Sequence, residues 1–461
     1  MAARWVTCLA AAMAGCAVGD IDLTGRSCPC VAGYQCDEST NRCVLETDAS
    51  SLGDATSGDA GSDTDQQAPG DGPVTSGDSG GCSTGYASCA GGPSGGCGTY
   101  VLGDPQNCGG CGHVCGDVNV TSAPTCGAGK CNLSCNSGYA NCDGNDANGC
   151  EAKLATDGTN CGACGVNCNG SACMAGLCAP VTLTTASGTI ADLAIDSVNT
   201  YFTTASGVYS CDKSGCAQPT TLATTSSNTA ITTDGATVYW AASDAIHACS
   251  VSGGASRVVF ADPTATTLAV DGTSLYWTDE NAGTVVKCGK ASCPSTTTIA
   301  SNQTDPIGIV VDGANVYWST VGGYVSYCPL AGCGSAPLTL ATGGGFYGEL
   351  QANDSTLFWA VGCVYDPTCP GISMCPKAGC NESPTALGLY PTVVEALAVD
   401  ATSLWWTDSQ GAVAFCPVPG CSPRTTVATI ASPDVASAIV IDSTRAYWAA
   451  GSTVYAMVRG P

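Results

Sequence analysis

The chain has 461 residues, a formal charge of -25 and only 11% charged residues, so it is acidic without being highly charged. Nucleic acid and anionic lipid surfaces are excluded as natural partners, because both need clustered Lys and Arg. Sixty Gly, few aromatics and abundant Ser and Thr predict strands and turns rather than long helices, and 35 Cys place the chain in an oxidising compartment.

At the N-terminus Arg4 precedes an apolar run from Trp5 to Ala14, which is too short to span a bilayer and suits the core of a signal peptide over residues 1–15. The run ends in Met13-Ala14-Gly15-Cys16, which resembles a bacterial lipobox. The resemblance implies cleavage before Cys16 and attachment of a diacylglyceryl group to its thiol. With Ala17 next, it also implies an outer-membrane lipoprotein exposed at the cell surface, the alternative being a secreted chain.

Residues 16–45 contain a small knot of Cys28, Cys30, Cys36 and Cys43, too short to fold without bridges. Residues 46–81 hold eight acids and no base among Gly, Ser, Thr and Ala, the composition of a self-repelling, disordered linker. Residues 82–131 and 135–178 then repeat one eight-Cys pattern, with six of its seven gaps identical. The segments NCGGCGHVC and NCGACGVNC resemble a cysteine-rich repeat of bacterial surface proteins. Four disulfides per unit are expected, with the connectivity left open by spacing. The cysteines of Cys108-x2-Cys111 and Cys161-x2-Cys164 are read as plain disulfide cysteines rather than zinc ligands, and the Asx-rich run Asp143–Gly149 as a turn rather than a calcium loop. No metal and no cofactor are assigned.

From residue 180 to 461 a second period takes over. An apolar run ending in Asp or Asn is followed five and six residues later by an aromatic pair: Asp196 with Tyr201-Phe202, Asp234 with Tyr239-Trp240, Asp271 with Tyr276-Trp277, Asp312 with Tyr317-Trp318, Asn353 with Phe358-Trp359, Asp400 with Trp405-Trp406, and Asp442 with Tyr447-Trp448. Six steps cover 246 residues, or 41 per step, the period of a propeller blade. Each unit offers four strand-like runs, and the final unit only three. The segment at 180–187 supplies the missing strand, so that the two ends of the chain close a ring and remove the open sheet edges. The fold expected is an all-β, seven-bladed β-propeller, with six blades as the alternative.

A C-x4-C pair recurs at the third turn: Cys211/Cys216, Cys288/Cys293, Cys328/Cys333, Cys375/Cys380 and Cys416/Cys421. These are read as disulfide staples, and Cys363/Cys369 as an additional pair in an insertion of the fifth unit. Cys249 faces Gly254 where a partner would stand, and is read as an orphan thiol.

The segments LAVDGTSLYWTD at 268–279 and LAVDATSLWWTD at 397–408 resemble the YWTD repeats of low-density-lipoprotein-receptor-type propellers. That family usually has six blades. The resemblance implies structural roles for Tyr276, Trp277, Thr278, Asp279, Trp405, Trp406, Thr407 and Asp408, with the aromatics packing between blades and the Thr and Asp tying strands.

Two His in the whole chain, His113 and His247, do not furnish the His-and-carboxylate constellation of a hydrolase or lyase channel. The recurring Asp residues fit turn capping. The reading is a non-catalytic surface binding protein for an extracellular protein or glycan. The alternatives are an exported propeller enzyme, a polysaccharide hydrolase or lyase, and a structural envelope component. The expected binding face is the one shared by the crossovers and the turns between second and third strands, with Asp279, Glu280, Phe346, Tyr347, Glu349, Tyr365, Asp366, Tyr390 and Asp408 gathered on it.

Overall fold

The computed structural model describes residues 34–37, 42–45, 82–89, 97–342, 346–362, 371–388, 393–431 and 434–460. Among them there is no helix, and none of them forms a helix long and apolar enough to cross a membrane. The chain divides into two compact units, Met1–Pro73 and Val74–Pro461. In the first, Tyr34–Asp37 pairs antiparallel with Arg42–Leu45, which sets Cys36 opposite Cys43. The signal segment, Cys16 and the acidic linker lie outside the described residues.

In the second unit the two Cys-rich repeats share one connectivity. Numbering the eight Cys of each in order, the first bonds the third (Cys82–Cys97, Cys135–Cys150) and the second bonds the fifth (Cys89–Cys111, Cys142–Cys164). The fourth bonds the seventh (Cys108–Cys126, Cys161–Cys173) and the sixth bonds the eighth (Cys115–Cys131, Cys168–Cys178). Both members of each C-x2-C pair are thus bonded elsewhere. The Asx-rich run closes on itself: Asp143 accepts from the Asn145 amide and the Asn148 side chain, and Glu151 accepts from the amides of Cys142 and Asp143.

The remaining chain forms seven four-stranded antiparallel sheets arranged as a propeller. Blades 1 to 6 begin at Ile190, Ala230, Ala265, Pro306, Phe346 and Val394, and each takes its four strands consecutively from the chain. Blade 7 combines Ala436–Ile441, Arg445–Ala450 and Thr453–Val458 with Val181–Thr185, which pairs antiparallel with Thr453–Ala456 around an irregularity at Leu183. The ring is thereby closed by strands from opposite ends of the repeat array, as expected.

Successive residues of a strand face opposite sides of its sheet, and this explains the aromatic doublet. The buried clusters of the propeller are the seven interfaces between neighbouring blades, and each holds the first aromatic of one blade and the second of the next. Tyr201 meets Trp240, Tyr239 meets Trp277, Tyr276 meets Trp318 and Tyr317 meets Trp359. The series continues with Phe358 and Trp406, Trp405 and Trp448, and Tyr447 with Phe202 across the closure.

The Asp that opens each repeat caps the turn between first and second strands. In blade 3, Asp271 Oδ1 accepts from the amides of Thr273 and Ser274, each at 2.7 Å, and its Oδ2 accepts from the Tyr276 hydroxyl at 2.8 Å. Asn353 replaces it in blade 5 and accepts from the Ser355 and Thr356 amides.

The five expected staples form, at Cys211–Cys216, Cys288–Cys293, Cys328–Cys333, Cys375–Cys380 and Cys416–Cys421. Cys363 and Cys369 lie outside the described residues. Cys249 is a buried free thiol packed in the interface between blades 1 and 2.

Ring closure through the outermost strand makes Leu183, 5% exposed in the interface between blades 7 and 1, a test position. Leu183→Ala is expected to lower unfolding free energy by about 2–5 kcal/mol in chemical denaturation. Leu338→Ala, at an outer-strand site that is 53% exposed, is expected to stay within about 0.5 kcal/mol. A non-reducing peptide map should return the repeat connectivity given above, with Cys249 alkylated only after unfolding.

Candidate functional site: axial channel and crossover face

The first strands line the axis, and their register sets up rings of side chains. The residues paired with the second aromatic of each blade are Leu193, Ile231, Leu268, Ile309, Leu350, Leu397 and Ile439. One position earlier, the chain reads Asp192, Ala230, Thr267, Gly308, Glu349, Ala396 and Ala438. All seven line an axial cavity of about 430 Å³. Five are small, and two are acids that stand across the axis from one another, in blades 1 and 5. Among the described residues no Lys, Arg or His lines this cavity.

Asp192 accepts from the Leu193 amide at 2.8 Å and from the Ile231 amide of blade 2 at 2.9 Å, so it also ties two blades. Burial outweighs these two bonds and pushes its carboxyl up to about 7. Burial, then the charge of Asp192, pushes Glu349 up to about 7, against a long bond of 3.4 Å from the Gln351 side chain. The channel therefore holds a carboxyl pair poised near neutrality and without a counter-cation.

The two ends of the propeller differ in charge and in construction. The antiparallel order of the blades puts the Asp-capped turns and the Cys staples on one end, here the turn face. The crossovers between blades and the turns joining second to third strands lie on the other, the crossover face.

All eight bases of residues 180–461, namely Lys213, Arg257, Lys287, Lys290, Lys377, Arg424, Arg445 and Arg459, belong to the turn face by strand position. Four of them reach back to the Asp turn of a neighbouring blade: Lys213 to Asp442 at 2.8 Å, Lys290 to Asp234 at 2.8 Å, Lys377 to Asp312 at 3.1 Å and Arg459 to Asp400 at 2.6 Å. Lys213, Lys377 and Arg459 also lie over aromatic rings of the blade they reach, Tyr447, Tyr317 and Trp405. At Asp442 burial opposes ionisation, but the Lys213 ammonium and the turn amides hold the carboxyl well below the usual carboxylate range. The second Cys-rich repeat joins here as well, with Val458 packed against its Cys161, Cys168, Cys173 and Cys178 cluster.

The crossover face has no Lys or Arg. Its described acids are Asp244, Asp262, Asp279, Glu280, Asp305, Glu395, Asp408 and Asp434, with Asp192 and Glu349 below them in the channel. Asp279, Glu280 and Asp408 fall on this face as the sequence suggested, but in different roles. Glu280 is exposed. Asp279 caps a turn through the Ala282 amide, and Asp408, 3% exposed, caps another through the amides of Gln410 and Ala412.

Glu349 is placed in the channel rather than on the rim. Phe346 and Tyr347 lie in the first strand of blade 5, at this same end. Tyr365, Asp366 and Tyr390 lie outside the described residues. His247 is 8% exposed, stacks on Trp240 with ring centroids 5.5 Å apart and bonds Asp244 at 3.0 Å. Asp192 went unnoticed in the sequence, although an acid at a position otherwise filled by Ala, Gly, Thr and Glu was visible once the repeats were aligned.

The sign of the pH dependence follows from these groups. A carboxyl raised by folding keeps its proton where the unfolded chain has lost it, so stability falls as pH rises from about 4 to about 7. The Asp turns are lowered by folding, and their contribution is lost as pH drops below about 4. Urea denaturation from pH 3 to 9 should show greatest stability in the mildly acidic range, and Glu349→Gln should flatten the decline between pH 4 and 7. A maximum at neutral pH, unaltered in the variant, would contradict the assignment.

No protein-family model matches the chain, and no curated protein matches it. Among solved structures it is similar to a streptogramin B lyase, with 11% identity and a TM-score of 0.50 over 60% of this chain and 96% of that one. It is similar to virginiamycin B lyase from Staphylococcus aureus, with 12% identity and a TM-score of 0.50 over 61% and 98%. A chain of a nidogen/laminin complex aligns at 17% identity and a TM-score of 0.39 over 48% and 89%. At these identities the two lyases show a shared propeller fold.

Proposed function

We propose that this is an exported, surface-anchored binding protein that presents its propeller by the crossover face to an extracellular protein or glycan, without catalysing a reaction. The observation that carries this reading is the division of the propeller into two ends. The staples, the cationic latches and the join to the Cys-rich repeat all lie on the turn face, and the crossover face is not used by them. Extensive disulfide bonding supports an extracellular or envelope setting. Anchoring through a lipid on Cys16 and extension through the acidic linker complete the proposal, as does membership of the YWTD-type propellers. In support of the latter, the Thr278 hydroxyl bonds the Ile307 carbonyl of the next blade at 2.9 Å.

A second reading is favoured by one observation, the Asp192 and Glu349 pair. Two carboxyls that burial pushes up to about 7 in one cavity are suited to acid and base roles in a polysaccharide hydrolase or lyase. One experiment separates the readings. The full exported chain, screened on protein and glycan arrays and against polysaccharides in solution, should bind without turnover. Substitutions at the Glu280 turn should weaken binding at least tenfold, and substitutions at the Gly253 turn of the opposite face should leave it unchanged. Turnover abolished by Glu349→Gln would replace the binding reading with the enzymatic one. Intact mass should show a diacylglyceryl adduct that Cys16→Ser removes.

A further inference from the structure

The binding reading names a face, and the charges on that face narrow the partner. We infer that the crossover face docks a Lys- or Arg-rich polypeptide, and that the mouth of the axial channel receives one of its cationic side chains between Asp192 and Glu349. This inference rests on the proposed use of the crossover face.

Two separate observations support it. The first is the segregation of Lys and Arg from the crossover face. Every Lys and Arg of the propeller lies toward the turn face, where four are held in ion pairs, whereas the end that carries Glu280 and Glu395 has no Lys or Arg and a single base, His247, bonded to Asp244. The crossover face consequently carries a net negative field that attracts and orients a basic partner. The second is the channel. A ring of Ala, Gly and Thr leaves a cavity of about 430 Å³ in which the only charged side chains among the described residues are two acids facing across the axis. An ammonium or guanidinium entering this space supplies a counter-charge, and it donates to carboxylate oxygens in a channel partly enclosed by the ring.

The distribution of the acids argues for an extended partner rather than a single ion. Among the described residues no three carboxylates converge to ligand distance. Exposed acids such as Glu280 of blade 3 and Glu395 of blade 6 are spread around the ring. Several separated cations on one chain satisfy that spacing, and one divalent ion does not.

The test uses the full chain and defined probes: lysine and arginine oligomers, an oligoglutamate, and a neutral oligosaccharide. Three variants are compared. Glu280→Gln with Glu395→Gln removes two charges from the crossover face. Asp354→Asn with Glu382→Gln removes two exposed charges from the turn face and controls for net charge. Glu349→Gln addresses the channel. The cationic oligomers are expected to bind, with affinity falling steeply as salt rises from 50 to 200 mM. Affinity should drop at least tenfold in the crossover variant and about threefold to tenfold in Glu349→Gln, and by less than twofold in the turn-face variant. Equal losses in the crossover and turn-face variants, or no binding of the oligomers, would overturn the inference. Binding of the neutral oligosaccharide at the crossover face in their place would overturn it while leaving the proposed binding function standing.

Discussion

The propeller depends on one stereochemical constraint: a strand sends consecutive side chains to opposite faces of its sheet. A blade in a ring is covered on both faces, so its central strand needs two large apolar residues in succession, one for each neighbour. The doublets Tyr239-Trp240, Tyr276-Trp277 and Trp405-Trp406 meet that need, and all of these residues are at most 1% exposed. Each aromatic buries roughly 150–250 Å², so a pair at every interface accounts for much of the apolar packing between blades. A single aromatic per repeat would leave one face of each sheet poorly filled, and the array would have no reason to curve into a closed ring.

Once the interfaces are packed, the remaining polar devices sort by end. The Asp-capped turns leave carboxylates at the bottom of each interface, and the side chain two positions past the third-strand Cys points back toward them. Where that residue is Lys or Arg, as at Lys213, Lys290, Lys377 and, by the same position after Met457, Arg459, an ion pair joins two blades. Where it is Val251, Leu330 or Val418, the side chain packs into the interface instead. Ionic and apolar versions alternate from blade 1 to blade 7, and two ionic ones, Arg459 and Lys213, meet at the ring closure. The Lys and Arg of the propeller thus serve cohesion, and the opposite face is left with an excess of acids over its one base, His247.

Much of this was legible in the sequence because it repeats. The blade period, the ring closure by residues 180–187 and the staples are all consequences of a pattern seen several times over, and the Asp turns follow from residue chemistry alone. What repeats poorly was harder to read. Glu349 looked like a rim residue because its blade carries an insertion, yet its register with the strand of Trp359 sends it into the channel. Asp408 looked exposed because it ends a strand, but the tight turn that follows draws its carboxylate inward onto two amides. The connectivity of the Cys-rich repeats depends on chain path rather than spacing. The cationic latches were missed although their position after each Cys was regular, because an ion pair needs a partner that only the blade order supplies.

Asp192 and Glu349 stand apart from this economy of structure. The Asp turns of the ring are held ionised by amides or a cation, whereas these two, and Glu395 to a lesser degree, are raised by burial. Ala fills the same position in blades 2, 6 and 7, so the fold does not require an acid there. Burying carboxyls opposite one another opposes folding at neutral pH. Asp192 returns part of that through its bonds from the Leu193 and Ile231 amides, whereas the contact of Glu349 among the described residues is the long one with Gln351. A group that the architecture does not need, and that weakens it at neutral pH, is best explained by what enters the channel.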